Sequence, residues 1–169
     1  SEIIRMFNSS FDELTENKND YYPIPLRPQI DELNDFIYPH INNGVYRAGF
    51  AKTQSSYDTA VHNLFQALNT LEERLTKQRY LLGEHITEAD LRLLPTLIRF
   101  DSVYVVHFKC NIRRIADYPN LSRYVRDAYQ NIDAIRETTN FDHIKRHYYY
   151  SHPSINPYQI IPHGPEQPF

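Results

Sequence analysis

Ile86-Thr87-Glu88-Ala89-Asp90-Leu91 is the stretch that decides the fold class of this 169-residue chain. Thr87 is a preferred residue at the start of a helix. An acid three residues later, Asp90, completes a capping box in which Asp replaces the more usual Glu or Gln. Ile86 and Leu91 flank the cap at the positions of a hydrophobic staple. The stretch therefore predicts that a helix begins at Glu88.

The helix that follows is predicted to run from Glu88 to about Phe108, and it is apolar on most of its sides. Its apolar residues are Leu91, Leu93, Leu94, Leu97, Ile98, Phe100, Val103, Val105 and Val106. A helix that is apolar all round belongs at the centre of a domain. Pro95 lies deep inside this helix, removes one backbone hydrogen bond and is expected to bend it.

The spacing of apolar residues predicts further helices on both sides of this central one. They cover about 2–15, Ile30 to Ile41 with a break near Pro39 or at Asn42-Asn43-Gly44, Ser55 to about Lys77, 119–130 and 141–150. The segment from Gly44 to Thr53 is predicted to be an ordered loop. No period-two alternation is long enough to predict a sheet. The predicted fold is all-α, with one helical domain over residues 1–152 and an extended, proline-rich tail over 153–169.

Composition and charge exclude several classes of protein. A net charge of −3, without a basic stripe, argues against a nucleic-acid-binding domain. No apolar run approaches the roughly 20 residues needed to span a bilayer, and the first residues do not resemble a secretory signal. The single cysteine, Cys110, excludes an intrachain disulfide and fits a reducing compartment, the cytoplasm. Cys110 is expected to be a packed residue, although the neighbouring Lys109 leaves a reactive thiol as the alternative.

The capped central helix, which follows Tyr80-Leu81-Leu82-Gly83, resembles the helical domain of glutathione transferases. Further stretches are similar to hallmarks of the Xi class, the glutathionyl-hydroquinone reductases, and they span almost the whole chain in the expected order. They are Ser1-Glu2-Ile3-Ile4-Arg5-Met6-Phe7-Asn8, Asn42-Asn43-Gly44-Val45-Tyr46-Arg47-Ala48-Gly49-Phe50, Arg99-Phe100-Asp101 with Val103-Tyr104, His107-Phe108-Lys109-Cys110, Asn140-Phe141-Asp142-His143-Ile144 with His147-Tyr148, and Ile155-Asn156-Pro157 to His163-Gly164-Pro165.

The resemblance implies a helical bundle like the C-terminal domain of glutathione transferases, working with a thioredoxin-like domain that carries a catalytic cysteine in a Cys-Pro-Trp-Ala stretch. That stretch is not in this chain, so we expect a separate N-terminal thioredoxin-like domain of the same protein. The family converts a glutathionyl-hydroquinone and a second glutathione into free hydroquinone and glutathione disulfide. Glutathione is the implied co-substrate, and a homodimer is the implied assembly. Ser1 is expected to lie next to the Glu-Ser pair that binds the γ-glutamyl end of glutathione.

By the same resemblance, Tyr46 and Tyr148 match the catalytic tyrosines of the substrate pocket. A tyrosine with an ordinary pKa of about 10 keeps its proton at neutral pH and can share it with a developing oxyanion. The residues alone leave Tyr46 open between a functional and a packing role. They also do not choose among the tyrosines of the run His147-Tyr148-Tyr149-Tyr150. Tyr104 and His107 share a helix face and are expected to bind substrate, the alternative being a core tyrosine and a buried histidine.

Two other kinds of function compete with this one. His143 and His147 have the four-residue spacing of zinc-binding histidines, but Ile144 stands where a metalloprotease needs Glu, and no third ligand is evident. We therefore expect no metal. The alternative function is a non-catalytic helical module for protein association, a use made of related domains in translation elongation and synthetase complexes. Quinol binding by the complete protein separates these functions.

Overall fold

The computed structural model describes residues 2–166, and α-helices dominate this part of the chain. The helices are α1 (Glu2–Phe7), α2 (Arg27–Ile37), α3 (Gly44–Gly49), α4 (Gln54–Arg74), α5 (Glu88–Arg99), α6 (Val105–His107), α7 (Pro119–Asn131), α8 (Asp133–Thr138) and α9 (Phe141–Ser151). Two 3₁₀ turns (Ile24–Leu26 and Ile115–Asp117) and two π-helical segments (Tyr38–Asn42 and Phe100–Tyr104) join them. Residues 2–166 contain no β-strand, only an isolated bridge between Tyr80 and Gly83. The all-α prediction is confirmed.

The start of α5 is built around the buried carboxylate of Asp90. Asp90 accepts hydrogen bonds from the backbone N–H of Thr87 at 2.8 Å and from the Thr87 hydroxyl at 2.9 Å. It also accepts from the backbone N–H of Leu81 at 2.9 Å and from the hydroxyl of Tyr124 at 3.0 Å. The predicted capping box is present, and it additionally joins the preceding loop and α7 to the first turn of α5.

The central helical run extends from Glu88 to His107 but changes its hydrogen bonding on the way. It is an α-helix up to Arg99, a π-helix from Phe100 to Tyr104, and α-helical again to its end. Phe100, Val103 and Tyr104 are all buried. The π segment itself contains Tyr104, and its wider turn shifts the residues that follow it around the helix axis. The bend expected at Pro95 stays a prediction.

A buried ion network fastens the first two helices to α5. Glu88 is 1% exposed and accepts hydrogen bonds from Arg5 on α1 at 3.2 Å, from Asn34 on α2 at 3.0 Å and from Arg92 on its own helix at 2.9 Å. Arg5 also pairs with Asp31 of α2. A buried carboxylate without such partners would be strongly destabilising, so these contacts decide how α1 and α2 lie against the central helix.

The observed elements differ from the predicted ones in three places. The helix predicted over 2–15 ends at Phe7. The Asn8 side chain accepts from the backbone of Tyr21 and donates to Asp20, which favours the turns that follow over a continued helix. The predicted loop after Gly44 is instead helix α3, whose small residues pack closely against α4: a Cβ added to Gly44 would be 3.5 Å from Leu64.

The third difference is α8, which the sequence did not predict. It spans six residues, Asp133–Thr138, and none of them is buried. Such a short helix with a single large apolar residue, Ile135, shows no helical periodicity. Its contacts with α7 and the cleft described below place it in the fold.

The described part of the tail, residues 153–166, contains no helix. The Asn156 side chain donates to the backbone carbonyl of Tyr149 at 2.9 Å, and Lys145 donates to the carbonyl of His163 at 2.8 Å. The tail therefore follows α9. The predictions for Ser1 and for tail residues 167–169 lie outside the described residues. Among residues 2–166, none of the helices combines the length and the apolar character needed to cross a membrane.

Candidate functional site

Three tyrosine hydroxyls form a hydrogen-bonded chain where α3, the second π segment and α9 meet. The hydroxyl of Tyr148 lies 2.7 Å from that of Tyr46 and 2.8 Å from that of Tyr104. A hydroxyl carries one proton, so Tyr148 donates to one neighbour and accepts from the other. The structure thus brings together three of the four predicted site residues, with Tyr148 in the middle.

Exposure falls along this chain of hydroxyls. Tyr46 is 37% exposed, Tyr148 is 7% and Tyr104 is 2%. Burial, followed by the hydrogen bond to Tyr148, raises the pKa of Tyr46 to about 12. Burial also raises the pKa of Tyr104 well above its ordinary value. Tyr46 and Tyr104 are therefore protonated at neutral pH, and Tyr46 is the end of the chain that a ligand can reach.

Aromatic rings hold the tyrosines in place. The ring of Phe108, which is fully buried, lies 5.1 Å from the ring of Tyr46 and 5.4 Å from that of Tyr104, measured between centroids. Phe50 stacks on Tyr46 at 6.5 Å and contacts Phe108 at 5.4 Å. A Cβ at Gly49 would clash with Cγ and Cδ1 of Phe108. Glycine is therefore required at position 49, because Phe108 occupies the space of a side chain.

His107 faces a second histidine and not open solvent. It is 4% exposed, and its Nε2 lies 3.0 Å from Nδ1 of His152, with the two rings stacked. The ring of His107 also contacts that of Tyr149 on α9, with 4.6 Å between centroids. Burial, followed by the neighbouring His152, lowers the pKa of His107 to about 4. The substrate-binding role of His107 stays a prediction: His107 is a buried histidine whose ring contacts those of Phe108 and His152.

Packing distinguishes the three consecutive tyrosines of α9. Tyr148 joins the chain of hydroxyls, Tyr149 is 3% exposed with its ring against His107 at 4.6 Å, and Tyr150 is 46% exposed. Helical geometry turns successive side chains by about 100°, so only one of the three can face Tyr46. That residue is Tyr148.

Sequence reasoning missed the cleft beside this site. It has a volume of about 420 Å³ and lies between α5, α8 and α9. Arg99 and Tyr148 both line it, together with His143 and His147. The positive charge of Arg99 lowers the pKa values of Tyr46 and Tyr104, opposing the larger effect of burial. Arg99 stood in the sequence as part of the Arg99-Phe100-Asp101 motif, and nothing in that motif shows where its side chain lies.

Cys110 is a packed residue, as predicted. It is fully buried, with its sulfur 3.9 Å from the carbonyl oxygen of Val45 and 3.8 Å from that of Phe108. Burial raises the pKa of the thiol to about 12, although Lys109 acts in the opposite direction. Because the thiolate is the reactive form, this cysteine is not a nucleophile near neutral pH. Among residues 2–166, no three His, Cys, Asp or Glu residues are grouped so as to hold a metal ion.

Comparison with known proteins agrees with this fold. The family model for the C-terminal domain of glutathione S-transferases matches residues 54–127. The glutathionyl-hydroquinone reductase PcpF of Sphingobium chlorophenolicum is 54% identical over 168 residues, covering 99% of this chain and 53% of PcpF. YqjG of Escherichia coli K12, also named a glutathionyl-hydroquinone reductase, is 56% identical over 167 residues, covering 99% of this chain and 51% of YqjG. The chain thus spans about half the length of the curated relatives it matches.

Solved structures show the same relationship. The glutathione-bound structure of E. coli YqjG superposes with a TM-score of 0.95, covering 98% of this chain and 54% of that one. The Xi glutathione transferase of Phanerochaete chrysosporium, 52% identical, gives a TM-score of 0.96 and covers 99% and 58%. The fold is that of the helical C-terminal domain of a glutathione transferase. Over nearly its whole length, the chain is similar to Xi glutathione transferases.

Proposed function

We propose that this chain is the helical, substrate-binding half of a glutathione-dependent reductase that removes glutathione from glutathionyl-hydroquinones. The overall reaction converts the conjugate and a second glutathione into hydroquinone and glutathione disulfide. The observation that supports it most is the chain of hydroxyls from Tyr104 through Tyr148 to the exposed end at Tyr46. PcpF and YqjG, which are 54% and 56% identical to this chain over 168 and 167 residues, are named for this activity.

The proposed reaction divides into two steps. A cysteine of a thioredoxin-like domain attacks the sulfur of the conjugate, and the carbon–sulfur bond breaks with its electron pair moving to the ring. The ring takes a proton and leaves as hydroquinone, while the cysteine stays linked to glutathione as a mixed disulfide. The thiol of the second glutathione then attacks this disulfide, giving glutathione disulfide and the free cysteine, and its proton replaces the one used.

The tyrosines serve the first step in this proposal. The hydroxyl of Tyr46 donates to the negative charge that develops on the ring, and its raised pKa keeps it protonated until then. While Tyr46 donates its one proton to the substrate, it accepts from Tyr148, so that proton can be replaced along the chain. Tyr104 and His107 are proposed as supporting residues of the substrate pocket. Because both side chains are buried, each is proposed to act on the substrate through Tyr148.

The proposal includes partners that lie outside this chain. We propose a thioredoxin-like domain with a Cys-Pro-Trp-Ala stretch as the source of the nucleophile, because the pKa of Cys110 is raised by burial. We further propose glutathione as co-substrate, assembly as a homodimer and a cytoplasmic location. A monomer by light scattering at high protein concentration would contradict the dimer for this chain.

The test compares this chain alone with the two-domain enzyme, by which we mean the chain joined to such a thioredoxin-like domain. Release of hydroquinone from a glutathionyl-hydroquinone is followed with excess glutathione. The two-domain enzyme is expected to turn over and the chain alone is not.

The matched control is Cys110→Ser, which is expected to leave turnover by the two-domain enzyme unchanged. Activity of the chain alone that disappears in Cys110→Ser would show that the nucleophile has been misassigned. If the two-domain enzyme neither binds nor converts the conjugate, the association-module alternative is favoured.

A further inference from the structure

The cleft between α5 and α9 has the dimensions of a small-molecule site. Its volume of about 420 Å³ lies within the range of roughly 300–1,000 Å³ found for ligand pockets. One wall is apolar and is formed by Leu91, Leu94, Ile98 and Ile144. Leu94 and Ile98 are themselves almost fully buried, so this wall is a firm surface against which a flat ring can pack.

The charge of the cleft is one-sided. Its lining contains one arginine and two histidines but no carboxylate. Asp142, the acid nearest in sequence to these histidines, is held by Arg146 at 2.8 Å. The cleft therefore favours a ligand that carries negative charge.

Arg99 is the cation that remains available in this cleft. It is partly exposed, and within residues 2–166 it takes part in no ion pair. One of its nitrogens, Nη1, donates to the carbonyl of Pro95 on the same helix at 2.8 Å. A guanidinium has five N–H donors in a planar fork that matches a carboxylate, so most of its hydrogen-bonding capacity is unused by the fold.

The other polar groups at the rim are already committed to local structure. Thr138 and Thr139 donate to carbonyls one turn earlier in α8, at 2.6 and 2.7 Å. The Asn140 side chain caps α9 by accepting from the backbone N–H of His143 at 3.0 Å. These residues shape the cleft, whereas Arg99 is free to bind a ligand.

Arg99 also lies on the same side of the fold as the tyrosine site. Tyr148, the central hydroxyl of that site, lines the cleft. The charge of Arg99 acts on both Tyr46 and Tyr104. A ring bound against the apolar wall would share the cleft with Tyr148 and with the guanidinium of Arg99.

We propose that this cleft binds an aromatic ligand that carries a carboxylate, and that Arg99 binds the carboxylate. Arg99 would make the enzyme prefer hydroquinone conjugates with an acidic substituent. This part of the inference rests on the proposed function. Binding itself does not depend on that function, because every lining residue belongs to this chain.

The binding test uses two matched probes, 4-hydroxybenzoate and 4-hydroxybenzamide, titrated into the full chain by calorimetry at low ionic strength. The two differ in charge but hardly in shape. The benzoate is expected to bind at least roughly tenfold more tightly, in line with the strength of a hydrogen bond to a charged group. Arg99→Gln should remove this difference, and Arg99→Lys, which keeps the charge but not the fork, should retain part of it.

The matched control is Arg126→Gln, an exposed arginine on α7 that does not line the cleft. It is expected to keep the preference of the parent. Equal affinity of the parent for both probes overturns the proposal, as does a preference that survives Arg99→Gln in a folded protein. If Arg99→Gln weakens binding of glutathione and leaves the benzoate unaffected, the carboxylate belongs to glutathione and the proposal is wrong. Failure of turnover in the two-domain enzyme, with the benzoate preference intact, would refute only the proposed function.

Discussion

Tyr148→Phe removes the central hydroxyl of the tyrosine site and keeps the ring. The parent hydroxyl makes two hydrogen bonds, at 2.7 and 2.8 Å, each worth about 1 kcal/mol between neutral groups. Tyr104, only 2% exposed, would lose the partner of its buried hydroxyl. We therefore expect Tyr148→Phe to lower the free energy of unfolding by about 2–3 kcal/mol.

The two outer tyrosines provide matched comparisons. Tyr104→Phe removes one buried hydrogen bond and should cost about 1 kcal/mol, since Tyr148 can still pair with Tyr46. Tyr46→Phe removes a hydroxyl from a ring that is 37% exposed, and water can partly replace that bond. Its cost should be below about 1 kcal/mol. The expected order of destabilisation is Tyr148→Phe, then Tyr104→Phe, then Tyr46→Phe.

The kinetic order should differ, because the hydroxyl at the exposed end is proposed to meet the substrate. Loss of one donor to a developing oxyanion typically lowers a rate by about 10²–10³. In the two-domain enzyme, Tyr46→Phe is expected to show this loss with little change in stability. Tyr148→Phe should lose both rate and stability. Single-turnover release of hydroquinone, measured beside urea unfolding, separates the two effects.

Two results would refute this reasoning. If Tyr46→Phe turns over like the parent while Tyr148→Phe is only less stable, the hydroxyls are structural and the catalytic assignment is wrong. If all three variants unfold like the parent, the hydrogen-bonded chain does not stabilise the fold. In the first case, Tyr104 with His107 becomes the next pair to test.

Three further predictions concern the stability of the chain, measured by urea unfolding. Thr87→Ala should cost about 1 kcal/mol, as for other helix caps. Asp90→Asn should cost about 3 kcal/mol, because it replaces a buried carboxylate that accepts four hydrogen bonds. A larger loss for Thr87→Ala than for Asp90→Asn would contradict this account of the cap. Gly49→Ala should cost about 1–3 kcal/mol, since the new methyl group overlaps Phe108, and an unchanged midpoint would mean that Phe108 can move aside. The pKa of His107 is lowered to about 4, so in acid the unfolded chain takes up a proton that the folded chain excludes. This stabilising contribution is complete above about pH 6.5 and is lost towards pH 4, up to about 3 kcal/mol. His107→Gln should weaken this pH dependence, and an identical dependence in the variant and the parent would contradict the assignment.

The main elements of the fold could be predicted because their causes are local. Thr87 and Asp90 lie within one helical turn, and the apolar periodicity of α4 and of α7 is visible within each helix's own segment of sequence. Where local signals were short or mixed, the prediction was wrong. α3 and α8 are six residues long, and the Asn8 side chain ends α1 through contacts with Asp20 and Tyr21.

The candidate site depends on residues that lie far apart in the chain. A motif resemblance could single out Tyr46 and Tyr148, and a shared helix face could single out Tyr104 and His107. Helical spacing could not choose Tyr148 from its run or reveal the partner of His107. Tyr46 and Tyr148 are 102 positions apart, and His107 and His152 are 45 apart. The packing of α3, α6 and α9 decides that these residues meet. The sequence around each residue gives no signal of that packing.

The amino-acid sequence by itself determined that the chain is all-helical, that its central helix begins at the Thr87 cap, and that its cysteine is packed. Caps, periodicity and composition act over a few residues, so they can be interpreted one segment at a time. Only the tertiary structure decided the order of the three hydroxyls, the pairing of His107 with His152, and the position of Arg99 in a cleft without carboxylates. Those features arise where helices distant in sequence are packed together. A change in helical hydrogen bonding, such as the π segment that ends at Tyr104, also redirects the side chains that follow it.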